Sequence, residues 1–96
     1  MNYAGWEITV EFSKQGLWGP DDPAEGGYDE KASAEKFAAM LEKAIGDEYP
    51  GANVEVAHGI NDKVVVYDEQ DMPDDEEAAW VNQTVENVYQ TFSWMV

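Results

Sequence analysis

The chain has no cysteine, no arginine, only five lysines and a single histidine. Without cysteine there is neither a disulfide nor a thiolate metal site, which leaves the redox compartment open. Five scattered lysines and no arginine cannot replace the counterions of a nucleic acid or grip an anionic membrane, so direct binding to either is excluded on charge. No stretch approaches the ~20 apolar residues of a membrane span. The opening "MNYAGWEITVEF" has no basic region followed by an unbroken apolar run, so a secretory leader is not expected and a soluble cytoplasmic protein is.

Catalytic and cofactor motifs are equally scarce. His58 is the lone histidine, Ser13, Ser33 and Ser93 have no motif around them, and "GLWGP" lacks the lysine and glycine spacing of a phosphate-binding loop. Carboxylates abound, but a solvated acidic surface offers no apolar pocket to push a pair of pKa values apart. The expectation is a non-enzyme without cofactor or metal.

What the chain does have is acid. Twenty-one Asp and Glu give a formal charge of −16 over 96 residues, in both halves of the chain. Self-repulsion at this level works against a compact state, while the aromatic content, Trp6, Trp18, Trp80 and Trp94 among it, argues for a packed core. The length fits one domain spanning residues 1–96. The natural partner of such a surface is basic.

Trp6, Ile8, Val10 and Phe12 alternate with polar residues over 3–12, the period of a half-buried strand. "SKQGLWGPDDPAEGGY" follows, and its glycines and prolines predict a long loop. From about Asp29 to Asp47 the spacing becomes helical, with Phe37, Leu41, Ala44 and Ile45 on one side. "YPG" ends that helix, and "ANVEVAHG" and "KVVVYDE" predict two further strands joined as a hairpin through "GIND", the unbroken Val64, Val65 and Val66 suggesting a central or doubly covered strand. After Pro73, Asp74 and Glu77 have the spacing of a capping box, and Val81, Val85, Val88, Phe92 and Met95 mark the stripe of a last helix. The expected fold is α+β in the order β-α-β-β-α, a three-stranded sheet with two helices on one face, an incomplete ferredoxin-like order.

The sharpest local feature is "DEQDMPDDEE" at 68–77, where seven of ten side chains are carboxylates. Asp74 and Glu77 have a local explanation as helix N-terminal groups; Asp68, Glu69 and Asp71 have none in the sequence. An extended chain advances at most ~3.3–3.6 Å per residue, so this run approaches the one charge per ~3.4 Å of a nucleic-acid strand. An EF-hand would need oxygens at alternating positions, a glycine at its sixth and a glutamate at its twelfth, which neither acidic segment supplies. Adaptation to concentrated salt would also produce high acid and low lysine. In the loop, Leu17 and Trp18 are large apolar residues between glycines, either tucked under the sheet or exposed as an aromatic anchor.

With clustered acids such as "DEQDMPDDEE" and "GPDDPAEGGYDE", no arginine and an α+β pattern, the chain resembles the small acidic inhibitors encoded by phages and mobile elements, including nucleic-acid mimics and anti-CRISPR proteins. That resemblance implies stoichiometric binding to the basic groove of a nucleic-acid-handling protein, for example a CRISPR effector complex, and exclusion of its DNA or RNA in the host cytoplasm. On this reading Asp68, Glu69, Asp71, Asp74, Asp75, Glu76 and Glu77 form the main contact set. Asp21, Asp22 and Glu25 are secondary, with Trp18 as an anchor. The alternative is a halophilic or generic interaction domain whose acids serve solubility.

Overall fold

Ile8, Val10 and Phe12 are buried on one face of β1 (Glu7–Ser13), as their alternation predicts. The computed structural model describes residues 2–96, and β1 is the middle strand of its sheet. β2 (Asn53–Gly59) lies parallel to β1 on one side, and β3 (Lys63–Tyr67) lies antiparallel on the other. The shared inner face carries Ile8, Val10, Val54, Val56, Val64 and Val66 in register.

This order, β2-β1-β3, overturns the expected hairpin and with it the incomplete ferredoxin-like order. A split βαβ unit places another strand between its two parallel strands; here β1 and β2 are direct neighbours. The valine-rich β3 is an edge strand, not the centre. The turn "GIND" crosses over the end of β1 because β1 binds it. Glu11 accepts from the Asn61 N–H at 2.8 Å, and Asp62 accepts from both the N–H and the hydroxyl of Ser13.

The expected loop after β1 contains two short helices, so the helix count rises. Ser13 caps α1 (Lys14–Trp18), its Oγ accepting from the Gly16 N–H at 3.0 Å, and Gly19 ends it at φ 61°. Asp22 then caps a 3₁₀ turn (Pro23–Gly26) with Pro23 in its first turn. The same prolines and glycines that forbid a long element serve as the starts and stops of short ones.

α2 (Glu30–Glu48) starts at Asp29, whose carboxylate accepts from the Ala32 N–H at 2.9 Å, and buries Phe37, Leu41 and Ile45. α3 (Asp75–Thr91) buries Val81 and half-buries Val85 and Val88. α2 and α3 pack on each other and on the inner face, around one core, so both long helices do lie on one side of the sheet. Phe92 does not continue the stripe. It adopts φ 53° at the C-cap and is exposed, and the reversal turns Trp94 inward instead. Trp94 is almost fully buried, donates its Nε1–H to the Tyr89 carbonyl, and packs against Trp18, Phe37 and Tyr89. Burying a side chain of this size contributes more than the ~1.5–3 kcal/mol of a smaller aliphatic or Phe.

Among the described residues no helix packs on the outer face of the sheet. That face carries Glu7, Thr9 and Glu11 from β1, Glu55 and Ala57 from β2, and Lys63, Val65 and Tyr67 from β3.

Candidate functional site

Residues 68–77 connect β3 to α3 at the end of the sheet where β1 begins. Asp68 organises the connection: its Oδ1 accepts from the N–H groups of Gln70 and Met72 at 2.9 and 3.1 Å, and Asp71 adopts φ 60° to close the turn. Asn and Asp are the non-glycine residues that tolerate this conformation best. The Glu69 carboxylate accepts from the Trp6 indole N–H. Asp74 caps α3 through the Glu77 N–H at 3.0 Å, while its own N–H bonds the Val66 carbonyl. The capping box therefore closes on one side only, and the Glu77 carboxylate instead accepts from the Tyr49 hydroxyl at 2.7 Å. Burial, reinforced by that bond and the nearby Glu77 and Glu48 charges, pushes the Tyr49 hydroxyl well above the usual tyrosine range.

These bonds sort the seven carboxylates in a way the sequence did not reveal. Asp68, Glu69, Asp74 and Glu77 each hold part of the fold. Asp71, Asp75 and Glu76 are exposed, with no side-chain partner among the described residues. The side chains free to meet a partner are thus one from the turn and two from the first turn of α3, where anions also complement the helix dipole.

The second acidic segment lies elsewhere. Residues 14–28 follow the opposite end of β1, so Asp21, Asp22 and Glu25 are separated from residues 68–77 by the length of the strand, about 23 Å for seven residues. The two segments do not form one continuous patch at either end. Asp22 is occupied as a cap, while Asp21 and Glu25 are exposed beside a cavity of about 370 Å³ that Trp18, Tyr28 and Met95 help to line. Trp18 itself is only 8% exposed, packed against Tyr28 and Trp94, and its indole N–H is buried without a partner. It belongs to the core and does not project as an anchor.

The exposed tryptophan is Trp80, at 61%, on α3 four residues after Glu76. It lies one residue off the Val81, Val85, Val88 stripe, a rotation of about 100° that places it outside the buried face. That phase was readable in the sequence.

Charge is also asymmetric. Lys31, Lys36 and Lys43 sit on α2, where Lys43 pairs with Asp47 at 3.3 Å, and Lys14 pairs with Glu30 at the start of that helix. α3 has no lysine, and the outer face of the sheet has only Lys63 against Glu7, Glu11 and Glu55. From residues 68–77 across the outer face, and along α3 to Glu86, the surface is therefore nearly free of positive charge.

His58 stacks on Phe12 at the end of β2, with ring centroids 5.0 Å apart. It lines an open groove of about 460 Å³ with Ala34 and Ala38 on the α2 side and Glu30, Lys31 and Glu35 at its rim. No carboxylate hydrogen-bonds the imidazole, and among the described residues no group of three acids or histidines converges as around a metal ion. No helix among the described residues is long and apolar enough to cross a membrane. No family model, curated protein or solved structure matches this chain.

Proposed function

We propose that this protein is a non-catalytic acidic inhibitor that binds the basic groove of a nucleic-acid-handling protein and keeps DNA or RNA out of it. The observation that carries the reading is the segregation of charge. Four of the five lysines lie on or beside α2, with Lys63 on β3, while the free carboxylates of Asp71, Asp75 and Glu76 stand at the N-terminal end of α3, Glu76 one turn before the exposed Trp80, on a helix with no lysine.

A solubility surface has no need of a large exposed aromatic amid its charge, whereas an interface does: Trp is among the residues that most often dominate binding energies. The carboxylates steer the approach and the indole anchors the result. The outer face extends the anionic surface, because Glu7, Glu55 and Glu11 succeed one another every second residue, about 6.6 Å along the strands. The molecule is 46 Å long, the length of roughly 13 base pairs at ~3.4 Å each. Asp21, Asp22 and Glu25, at the far end, come into play only in a groove of comparable length.

The test is a competition titration. Partners are captured from an expressing host on the immobilised protein, and the basic protein recovered is loaded with labelled nucleic acid. Stoichiometric displacement of the label, weakened by salt, supports the inhibitor; displacement unaffected by salt sinks it. The competing reading, an acidic surface that serves solubility in concentrated salt, requires a domain that folds only near molar potassium chloride.

A further inference from the structure

The sheet has two edges, and they are treated differently. β3 is closed over its last residues by the returning chain: Tyr67 bridges to Pro73, the Val66 carbonyl accepts from the Asp74 N–H, and Asp68 and Met72 bond across the turn. β2 has no such cover. Asn53 donates its N–H to the Trp6 carbonyl, so the odd-numbered residues of β2 face β1, and the alternate residues Val54, Val56 and His58 turn their N–H and C=O groups toward the open edge. None of these groups has a partner outside the strand among the described residues. "NVEVAHG" has no proline, lysine or bulge; its one charged side chain, Glu55, disfavours an acidic strand alongside but not a basic one.

Beside this edge lies the groove between α2 and β2, floored by Ala34 and Ala38 and ended by His58. α2 presents alanines there, and a strand laid along β2 would place every second side chain over them. Its other side chains would emerge on the outer face beside Glu55, with Glu7 and Glu11 on the next strand. We infer that the β2 edge is a docking strand for an extended partner segment in which apolar residues alternate with Lys or Arg. The apolar ones would fill the groove and the basic ones would face Glu55. This is strand addition, in which main-chain bonds supply affinity and alternate side-chain positions supply selectivity. A second copy of this chain is a poor occupant, because it would set two −16 surfaces edge to edge with their Glu55 side chains on one face.

The inference rests on the proposed basic partner but concerns a different surface from Asp71, Asp75, Glu76 and Trp80, so the two can fail separately. The probe is a blocked eight-residue peptide of alternating Val and Lys, added to the full chain and followed by amide hydrogen exchange in NMR spectra. The expected result is at least tenfold slower exchange at Val54, Val56 and His58. The same peptide N-methylated at alternate residues, and a Val-Glu peptide, are expected to give no protection. Ala38→Gln, which puts a longer side chain into the groove from a half-buried position on α2, is expected to weaken binding at least fivefold while the free chain stays folded by circular dichroism. Val56→Pro, which removes an outward N–H and leaves the β1–β2 main-chain bonds in place, is expected to abolish protection at Val54 and His58 in a chain whose core amides stay protected.

Equal binding of the N-methylated peptide, or no slowing at those three amides, overturns strand addition while leaving the inhibitor reading intact. Protection that grows with protein concentration and without peptide assigns the edge to a second copy, and also overturns it. If Asp71→Asn, Asp75→Asn and Glu76→Gln together leave nucleic-acid displacement unchanged while the peptide still protects β2, the acidic contact set fails and the docking strand stands.

Discussion

Asp62 holds Ser13 at two points, its Oδ1 accepting from the Ser13 N–H at 2.9 Å and its Oδ2 from the Ser13 hydroxyl at 2.7 Å. The same hydroxyl accepts from the Gly16 N–H, so one small cluster ends β1, starts α1 and carries residues 60–62 across the sheet. A Cβ on Gly16 would lie 2.2 Å from the Asp62 carboxylate.

Asp62→Ala is therefore expected to cost about 1.5–3 kcal/mol, the range for hydrogen bonds to a charged group. Gly16→Ala is expected to destabilise the native chain by pushing Asp62 off Ser13. In the Asp62→Ala background the same change is expected to be neutral or stabilising, since alanine is the better helix former by about 1 kcal/mol. Urea midpoints for the four chains check this, and additivity of the two changes would show that Gly16 and Asp62 do not meet.

Tyr49 supplies a pH test. Its hydroxyl is raised above the ordinary value of 10.0, so the folded protein keeps a proton that the unfolded chain releases. The associated stability is complete below about pH 10 and declines as pH rises above it. Tyr49→Phe is expected to cost about 1.5–3 kcal/mol at pH 7 through the lost bond to the Glu77 carboxylate. It should also flatten the decline between pH 10 and 11, as measured by denaturant titration at each pH.

How much of this was legible follows from which signals are local. The three strands and the two long helices were, because alternation in β1 and helical spacing in α2 depend on neighbours in sequence; the two short helices within residues 14–26 were not. The strand order was not: "GIND" reads as a hairpin turn, and only contacts of Glu11 and Ser13, some fifty residues earlier, carry it across β1. For the candidate site the acids were visible but not their duties. Asp68 spans a turn of its own making, and Glu69 meets Trp6 from the other end of the chain. Trp80 lies off the buried stripe by its helical phase, whereas Trp18, between glycines in an expected loop, has no phase to read, and only packing against Trp94 shows it to be core.

That separation is testable. Trp18→Ala is expected to cost about 3–5 kcal/mol, as for other buried aromatic truncations. Trp80→Ala, at an exposed site, is expected to change stability by no more than about 0.5 kcal/mol and to weaken partner binding at least tenfold. Thermal melts and a binding titration on both variants decide it; a destabilised Trp80→Ala with normal binding would remove the anchor.

Neutralising Asp71, Asp75 and Glu76 together lowers the formal charge from −16 to −13. None holds the fold by a side-chain bond; neutralisation relieves like-charge repulsion but removes the favourable interaction of Asp75 and Glu76 with the α3 dipole, so the net change at low salt is expected to stay within about 0.5 kcal/mol and to shrink further by about 0.5 M salt as both effects are screened. Asp74→Ala, by contrast, removes a helix cap and is expected to cost about 1 kcal/mol at any salt. A stability loss for the triple variant as large as that for Asp74→Ala would mean its carboxylates serve folding.

The most direct test of the acidic contact surface is the affinity of that triple variant and the native chain for the captured basic partner, measured from 50 to 500 mM potassium chloride. The native chain is expected to bind more tightly at low salt and to lose at least tenfold across the range, with the variant weaker and less salt-dependent. Superimposable salt curves for the two proteins would contradict the claim that these free carboxylates at the start of α3 are what the partner meets.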